Sequence, residues 1–355
     1  MFKTKFIVSF LALLCVSVFK VNAQGITLEQ ESDTTINVVA YFCKNDTMSF
    51  RNHQLKQKII ENDTTVTYDM TQEFMIVVND STSKGYRMEF IPISCKWDTL
   101  EDFNSLTEDL WDMVKDVHCF FTTDEYGTVQ HIENWREIRD TMKKITPIVV
   151  DRYIEKHPEM DKVISRKQIK NALLMGFSTE NQIRKAYDEL DMLFSLHGRC
   201  LDMGTKELDD VENGYPQHIV AKAGYTEIED ESDIEGDYAI MTKTVTTIPM
   251  EDAVNLGINS AMLFLEGNVA DSLDSKKDEI LDSLKSGIAD KEITFTQNEY
   301  FGYFFNGWPK LCYKEKVIDG TAFKRVEQNV IEWTSRYWNI YNNDEAIKPE
   351  DSKEL

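Results

Sequence analysis

The chain has 355 residues, with 39 lysines and arginines against 62 aspartates and glutamates and a net charge of −23. So acidic a surface repels nucleic acid and anionic lipid headgroups, which argues against both as partners. The charges are scattered among apolar, periodic segments, so the chain reads as folded with an acidic face rather than as disordered.

The first residues read as an export leader. Phe2–Val21 carries Lys3 and Lys5, then the apolar run Phe6–Val18, then Val21-Asn22-Ala23 before Gln24. That is the n-region, h-region and small-residue cleavage pattern of a secretory signal. The run is short for a membrane span, which needs about 20 residues. Cys15 raises a lipoprotein reading, but Leu14 before it is bulky where lipid attachment wants a small residue. Cleavage after Ala23 is therefore expected, giving residues 1–23 as signal and a periplasmic or extracellular product with no second span. Loss of three lysines and no acid takes the net charge from −23 to −26.

Strand-like segments follow. Thr34–Phe42 is β-branched and aromatic, Met48–Ile60 alternates more weakly, and Thr64–Val78 alternates through Val66, Tyr68 and Met70. Tyr86–Ile93 sets Tyr86, Met88 and Phe90 against Arg87 and Glu89. Short polar turns join them, the pattern of an antiparallel meander. A helix is predicted at Ser105–Val114, then a hairpin of His118–Thr123 and Thr128–Glu133 around Asp124-Glu-Tyr-Gly127.

A helical block at residues 134–198 comes next. Asn134 with Glu137 is a loose capping box, and Trp135, Ile138, Met142, Ile145 and Val149 recur at helical spacing. Pro147 is expected to kink or split that helix, because proline lacks an N–H and crowds the preceding turn. Asp161–Gly176 is a second helix. Thr179 and Gln182 open a third, whose stripe runs Ile183, Ala186, Tyr187, Leu190, Leu193 and Phe194, with Gly198 where a left-handed residue is wanted. Helices apolar on one side need a partner surface, and the flanking strands supply one.

Beyond Asp202, Gly204, Asp209-Asp210 and Asn213-Gly214 read as turns, and His218–Ala223, Tyr225–Glu229 and Tyr238–Ile248 as strands. Met250–Leu265 is helix or buried strand, and Ser275–Ile288 is helix. Glu292–Thr296, Glu299–Phe305, Lys310–Val317 and Thr321–Trp333 complete the strands. No repeat or linker divides the chain. Residues 24–341 read as a single α+β domain and 342–355 as a polar tail: a curved antiparallel sheet, half-barrel-like, covered by the mid-chain helices.

Few motifs carry chemistry. None of the six histidines makes a zinc-type cluster; His197 with Cys200 sits at a helix end, where a cap or surface histidine is the ordinary reading. Five cysteines beyond the leader are an odd number, and buried unpaired thiols are as good an account as bridges. The acidic run Glu227–Asp237 offers Asp230, Asp233, Glu235 and Asp237 as weak calcium ligands, though its order is not that of an EF-hand. Its plainer reading is a solvated hairpin tip. The dense aromatics of Glu299–Pro309 are Tyr300, Phe301, Tyr303, Phe304, Phe305 and Trp308. They either line an apolar cavity or form a strand buried against helices. No catalytic residue, metal or cofactor is assigned.

The hairpin Phe120–Glu133 and the closing Asn306-Gly-Trp-Pro309, within a meander interrupted by helices, resemble the half-barrels of periplasmic lipoprotein carriers and uncharacterised secreted proteins of Gram-negative bacteria. The likeness to carriers implies a curved sheet holding acyl chains beneath helices, although this chain is much longer. Three functions follow in order: an exported non-enzymatic protein holding an apolar or amphiphilic molecule between sheet and helices; an envelope or surface interaction protein with a filled core; and a hydrolase with a site assembled from scattered residues.

Overall fold

The computed structural model describes residues 34–60, 63–98, 104–158, 165–228, 233–253, 255, 292–320, 323–339, 341–342 and 345–346. The expected leader with Cys15 and Ala23, the helix expected at Ser275–Ile288, most of Met250–Leu265 and most of the expected tail lie outside them.

The strands are β1 (Thr35–Val38), β2 (Thr47–Ile60), β3 (Asp63–Thr82), β4 (Gly85–Trp97), β5 (Cys119–Thr123), β6 (Val129–Ile132), β7 (Arg199–Asp202), β8 (Gly204–Glu212), β9 (Tyr215–Tyr225), β10 (Tyr238–Pro249), β11 (Glu292–Tyr303), β12 (Pro309–Gly320) and β13 (Phe323–Tyr337), with the small pair β14 (Tyr341–Asn342) and β15 (Glu345–Ala346). The helices are α1 (Asn104–Val114), α2 (Trp135–Lys156), α3 (Arg166–Met175), α4 (Glu180–Ala186) and α5 (Asp188–Phe194).

Eleven strands form one antiparallel sheet in the order β6-β5-β4-β3-β2-β13-β12-β11-β10-β9-β8. The amino-terminal and carboxy-terminal meanders join where β2 pairs with β13, from Thr47↔Tyr337 to Ile60↔Phe323. The sheet is curved and not closed. Helix α5 touches both β6 and β12, which lie six strand spacings apart, ~29 Å if flat. A helix of seven residues is only ~10 Å long, so the sheet must curl around it. The β8 edge is almost wholly exposed and carries Lys206, Glu207, Asp209 and Asp210, charges that discourage further pairing.

One end of the concave face is packed solid. Phe50, Phe74 and Phe90 stack across β2, β3 and β4 at centroid distances of 5.4 and 4.6 Å. Leu190, Leu193 and Phe194 of α5 are buried among them. The segment after β1 straps across this end: the Ala40 N–H donates to the Tyr126 carbonyl and the Tyr41 N–H to that of Asn306, both at 2.9 Å. Phe42 stacks on Trp308 at 4.1 Å. Gly307, at φ +82, lets the strap pass; a Cβ there would stand 2.2 Å from the Val39 carbonyl oxygen.

Several local expectations are corrected. Helix α2 runs unbroken through Pro147. Ile138 and Met142 anchor its first half in the main core, while Val149, Val150, Tyr153 and Ile154 anchor its second half in a smaller core with α1 and α3. Packing on both sides outweighs the lost hydrogen bond. Asn134 does not cap α2; its Oδ1 accepts from the Phe120 N–H at 3.0 Å and its Nδ2 donates to the His118 carbonyl at 2.9 Å. It staples the hairpin to the helix instead. The Ile183–Phe194 stripe is two short helices parted at Tyr187. Asp209-Asp210 is strand, not turn, and only Asn213-Gly214, both with positive φ, turn the β8–β9 hairpin.

Candidate functional site

The concave face changes character along the strands. Beneath α5 one register reads Ala223, Ile240, Phe301, Cys312, Ile331 and Asn52 across six strands, mostly apolar and buried. Strand alternation keeps every second residue on this face. Two residues along, the register is Thr242, Glu299, Lys314, Asn329 and Gln54; two further, Thr244, Gln297, Lys316, Glu327, Lys56 and Tyr68. Then come Thr246, Phe295, Ile318, Arg325 and Lys58. At the far end Ile248 and Ile293 pair across β10 and β11, both buried with Phe295, Ile318, Phe323 and Tyr215 packed around them. A charged belt therefore lies between two apolar zones.

The belt is rich in cations for so acidic a chain. Lys56, Lys58, Lys314, Lys316 and Arg325 face Glu299 and Glu327. Lys314 pairs with Glu299 at 3.4 Å, and Arg325 with Glu327 at 2.6 Å. The Lys316 ammonium makes no hydrogen bond or ion pair among the described residues. Burial pushes its pKa down, against the pull of the Glu327 charge. Lys56 lies over the Tyr68 ring at 5.4 Å.

Helix α5 sets two carboxyls above this belt. Glu189 is 6% exposed, and burial raises its pKa to about 8, helped by the Asp188 charge. Asn52, wholly buried, donates from Nδ2 to Glu189 Oε1 at 3.4 Å, while its own Oδ1 has no partner among the described residues. Asp188 hydrogen-bonds Glu189 and feels Lys56 and Lys314; crowding by protein raises its pKa although it keeps solvent contact. Glu189 thus carries the proton that the pair shares at neutral pH.

A cavity of about 60 Å³ lies in the trough. Lys316, Glu327, Gln297, Thr244 and Glu212 line the polar part of it, and Phe295, Ile318, Ile248 and Tyr215 the apolar part; burial, helped by Asp210, raises the Glu212 pKa. Arranged this way, the site offers a charged seat next to an apolar wall, the lining that orients a ligand with two unlike ends.

The aromatic run does not line this cavity as a set. Phe301 (2% exposed), Tyr303 and Trp308 (both 0%) are packed in the core. Tyr300 pairs with exposed Met241 and with Tyr313, so it lies on the convex face. Phe305 is 44% exposed at the turn. Alternation divides what the sequence places side by side. In the acidic loop Asp230 lies outside the described residues. Asp233 and Asp237 both take the Lys310 ammonium, and Asp237 also accepts from the Ile234 and Phe305 N–H groups at 3.2 and 3.1 Å. Glu235 stands in the turn between them. These carboxylates close a loop, and among the described residues no three metal-type ligands converge. His197 is no surface residue: it is 3% exposed, its Nε2 donates to the Gly307 carbonyl at 3.0 Å, and burial lowers its pKa to about 4. Cys200 is exposed, Cys119 and Cys312 are buried, and all five described cysteines are unbridged.

No family model matches the chain, and no curated protein matches it. Among solved structures, one concerned with lipid–protein interactions in lipovitellin is 8% identical at a TM-score of 0.36, over 86% of this chain and 27% of that one. An outer-membrane channel from Pseudomonas putida F1 is 6% identical at a TM-score of 0.13, over 86% and 100%. A porin-like protein from Bacteroides uniformis is 8% identical at 0.16, over 83% and 98%. This chain spans about a quarter of the lipovitellin chain it matches. These scores are low, and the site is argued from its own residues. Among the described residues no helix is long and apolar enough to cross a membrane.

Proposed function

We propose that this chain is an exported, non-enzymatic binding protein that holds an amphiphilic molecule in the trough of its curved sheet. The observation that carries the reading is the cavity whose lining passes from Lys316 and Glu327 to Phe295, Ile318 and Ile248. Export rests on the leader, with Lys3 and Lys5, the apolar run and Ala23. Glu189 on α5 accepts from Asn52, and burial with the Glu189 charge pushes the nearby Cys95 and Cys119 thiols up, away from nucleophilic thiolate, so the carboxyl pair is read as part of the packing. The test is displacement of a fluorescent fatty-acid probe from the purified chain by unlabelled amphiphiles. Saturable, one-to-one displacement is expected; no uptake of any amphiphile defeats the reading.

A second reading has its own observation. Phe301, Tyr303 and Trp308 fill the interior beneath α5, which suits an envelope protein that works by its surface. It expects no uptake in that assay and capture of a specific envelope partner instead.

A further inference from the structure

We propose that the occupant of the trough is a single-chain amphiphile with an anionic head, seated on Lys316 and flanked by Lys56 and Lys314. The inference rests on the amphiphile reading above and adds the sign of the head. It starts from charge. By register the concave face carries Lys56, Lys58, Lys206, Lys314, Lys316 and Arg325, and against them Glu299, Glu327, Asp63, Asp210 and Glu212. From α5, Asp188 adds one further negative charge, while Glu189 holds its proton at neutrality. The two signs thus balance on this face of a chain of −23, and the sign of an occupant is set by which charges lack a bonded partner. Of the cations, Lys314 is answered locally by Glu299 and Arg325 by Glu327.

Lys316 feels the charge of Glu327 across the β12–β13 register, but the Glu327 carboxylate bonds Arg325 instead. The Lys316 ammonium stands partly buried with no hydrogen-bond acceptor among the described residues. A desolvated cation without a partner is costly, and an anion placed beside it recovers charge-assisted hydrogen bonds. Lys316 is also where the cavity turns from polar to apolar. The next concave position on β12 is Ile318, beside Phe295. The Ile248–Ile293 pair lies one register further again, ~13 Å from Lys316 along the strands. A head at Lys316 therefore directs an alkyl chain of medium length along the apolar wall. A cationic head meets Lys316, Lys56 and Lys314 and is repelled; a neutral one leaves Lys316 without an ion-pair partner.

The test is calorimetric titration of the full chain, below each ligand's aggregation concentration. The probes are dodecanoate, dodecyl phosphate, dodecanol and dodecyltrimethylammonium. The two anions are expected to bind at least tenfold tighter than the alcohol, and the cation not measurably; their ranking tells a carboxylate from a phosphate head. Lys316→Met, which keeps the stem's volume, should weaken dodecanoate about ten- to a hundredfold and leave dodecanol unchanged. Lys316→Arg should restore most of the affinity. Lys243→Met, an exposed lysine on the convex face, should change nothing, and urea unfolding checks that each variant is folded. If dodecanol binds as tightly as dodecanoate, or Lys316→Met leaves the preference intact, the anionic head is refuted while amphiphile binding stands. If no probe binds, the underlying reading fails as well.

Discussion

Glu189→Gln isolates the buried carboxyl on α5. Glutamine keeps the shape, still accepts from Asn52 Nδ2, and can donate to Asp188 as the protonated acid does. What it removes is the titration. Burial raises the Glu189 pKa from 4.5 to about 8, so between those values the folded chain holds a proton that the unfolded chain releases. Stability from this group is whole below pH 4.5 and is lost as the pH rises through about 8. At ~1.4 kcal/mol per pH unit, the loss is on the order of 3 kcal/mol by pH 7 and about 5 above pH 8, as a property of the coupled pair. The assay is urea unfolding of both proteins at pH 5, 6, 7 and 8. Their midpoints should nearly coincide at pH 5 and separate progressively, with the glutamine variant the more stable at pH 8. A constant difference across the range, or a glutamine variant weaker at pH 8, refutes the buried neutral acid.

Three further outcomes follow from the packing. Gly307→Ala brings a Cβ to 2.2 Å from the Val39 carbonyl oxygen at φ +82 and should cost about 3 kcal/mol or more; Gly214→Ala, at φ +86 with open space around it, should cost only ~1 in the same unfolding assay. Asn134→Ala removes both bonds that staple the hairpin to α2 and should cost about 2 kcal/mol. Asn134→Asp, which accepts but cannot donate, should rescue only part, whereas full rescue would mark a simple helix cap. By proton NMR the His197 imidazole should stay neutral until about pH 4; because its pKa is lowered on folding, it weakens the fold as pH falls from 6.5 toward 4. A midpoint near 6.5 contradicts its burial.

The meander was legible wherever one face of a strand is apolar. Met70, Phe74, Ile76 and Val78 announce β3 because they face the core. The same logic explains the weak alternation of β2. Beyond Phe50 its concave positions are Asn52, Gln54, Lys56 and Lys58, so no apolar contrast marks them. The belt itself was invisible in the sequence, since Lys56, Thr244, Gln297, Lys316 and Glu327 come from five strands and meet only through register. Glu189 reads as the polar side of a helical stripe until the curl of the sheet wraps that side too. Asn134 carries the signature of a cap, but nearby Phe120 and His118 compete for its side chain and win. The aromatic run was visible as composition, yet its division between Tyr300 outside and Phe301 and Tyr303 inside depends on which face α5 occupies.

The claim at the centre is that the trough, not the aromatic core or the convex face, receives the amphiphile. Photo-crosslinking with a diazirine-bearing dodecanoate, followed by peptide mapping, tests it most directly. The expected labels fall on the strand segments bearing Phe295, Ile318 and Ile248, and unlabelled dodecanoate removes them. Labels confined to the convex side, around Met241 and Tyr313, or labels that competitor leaves in place, would contradict it.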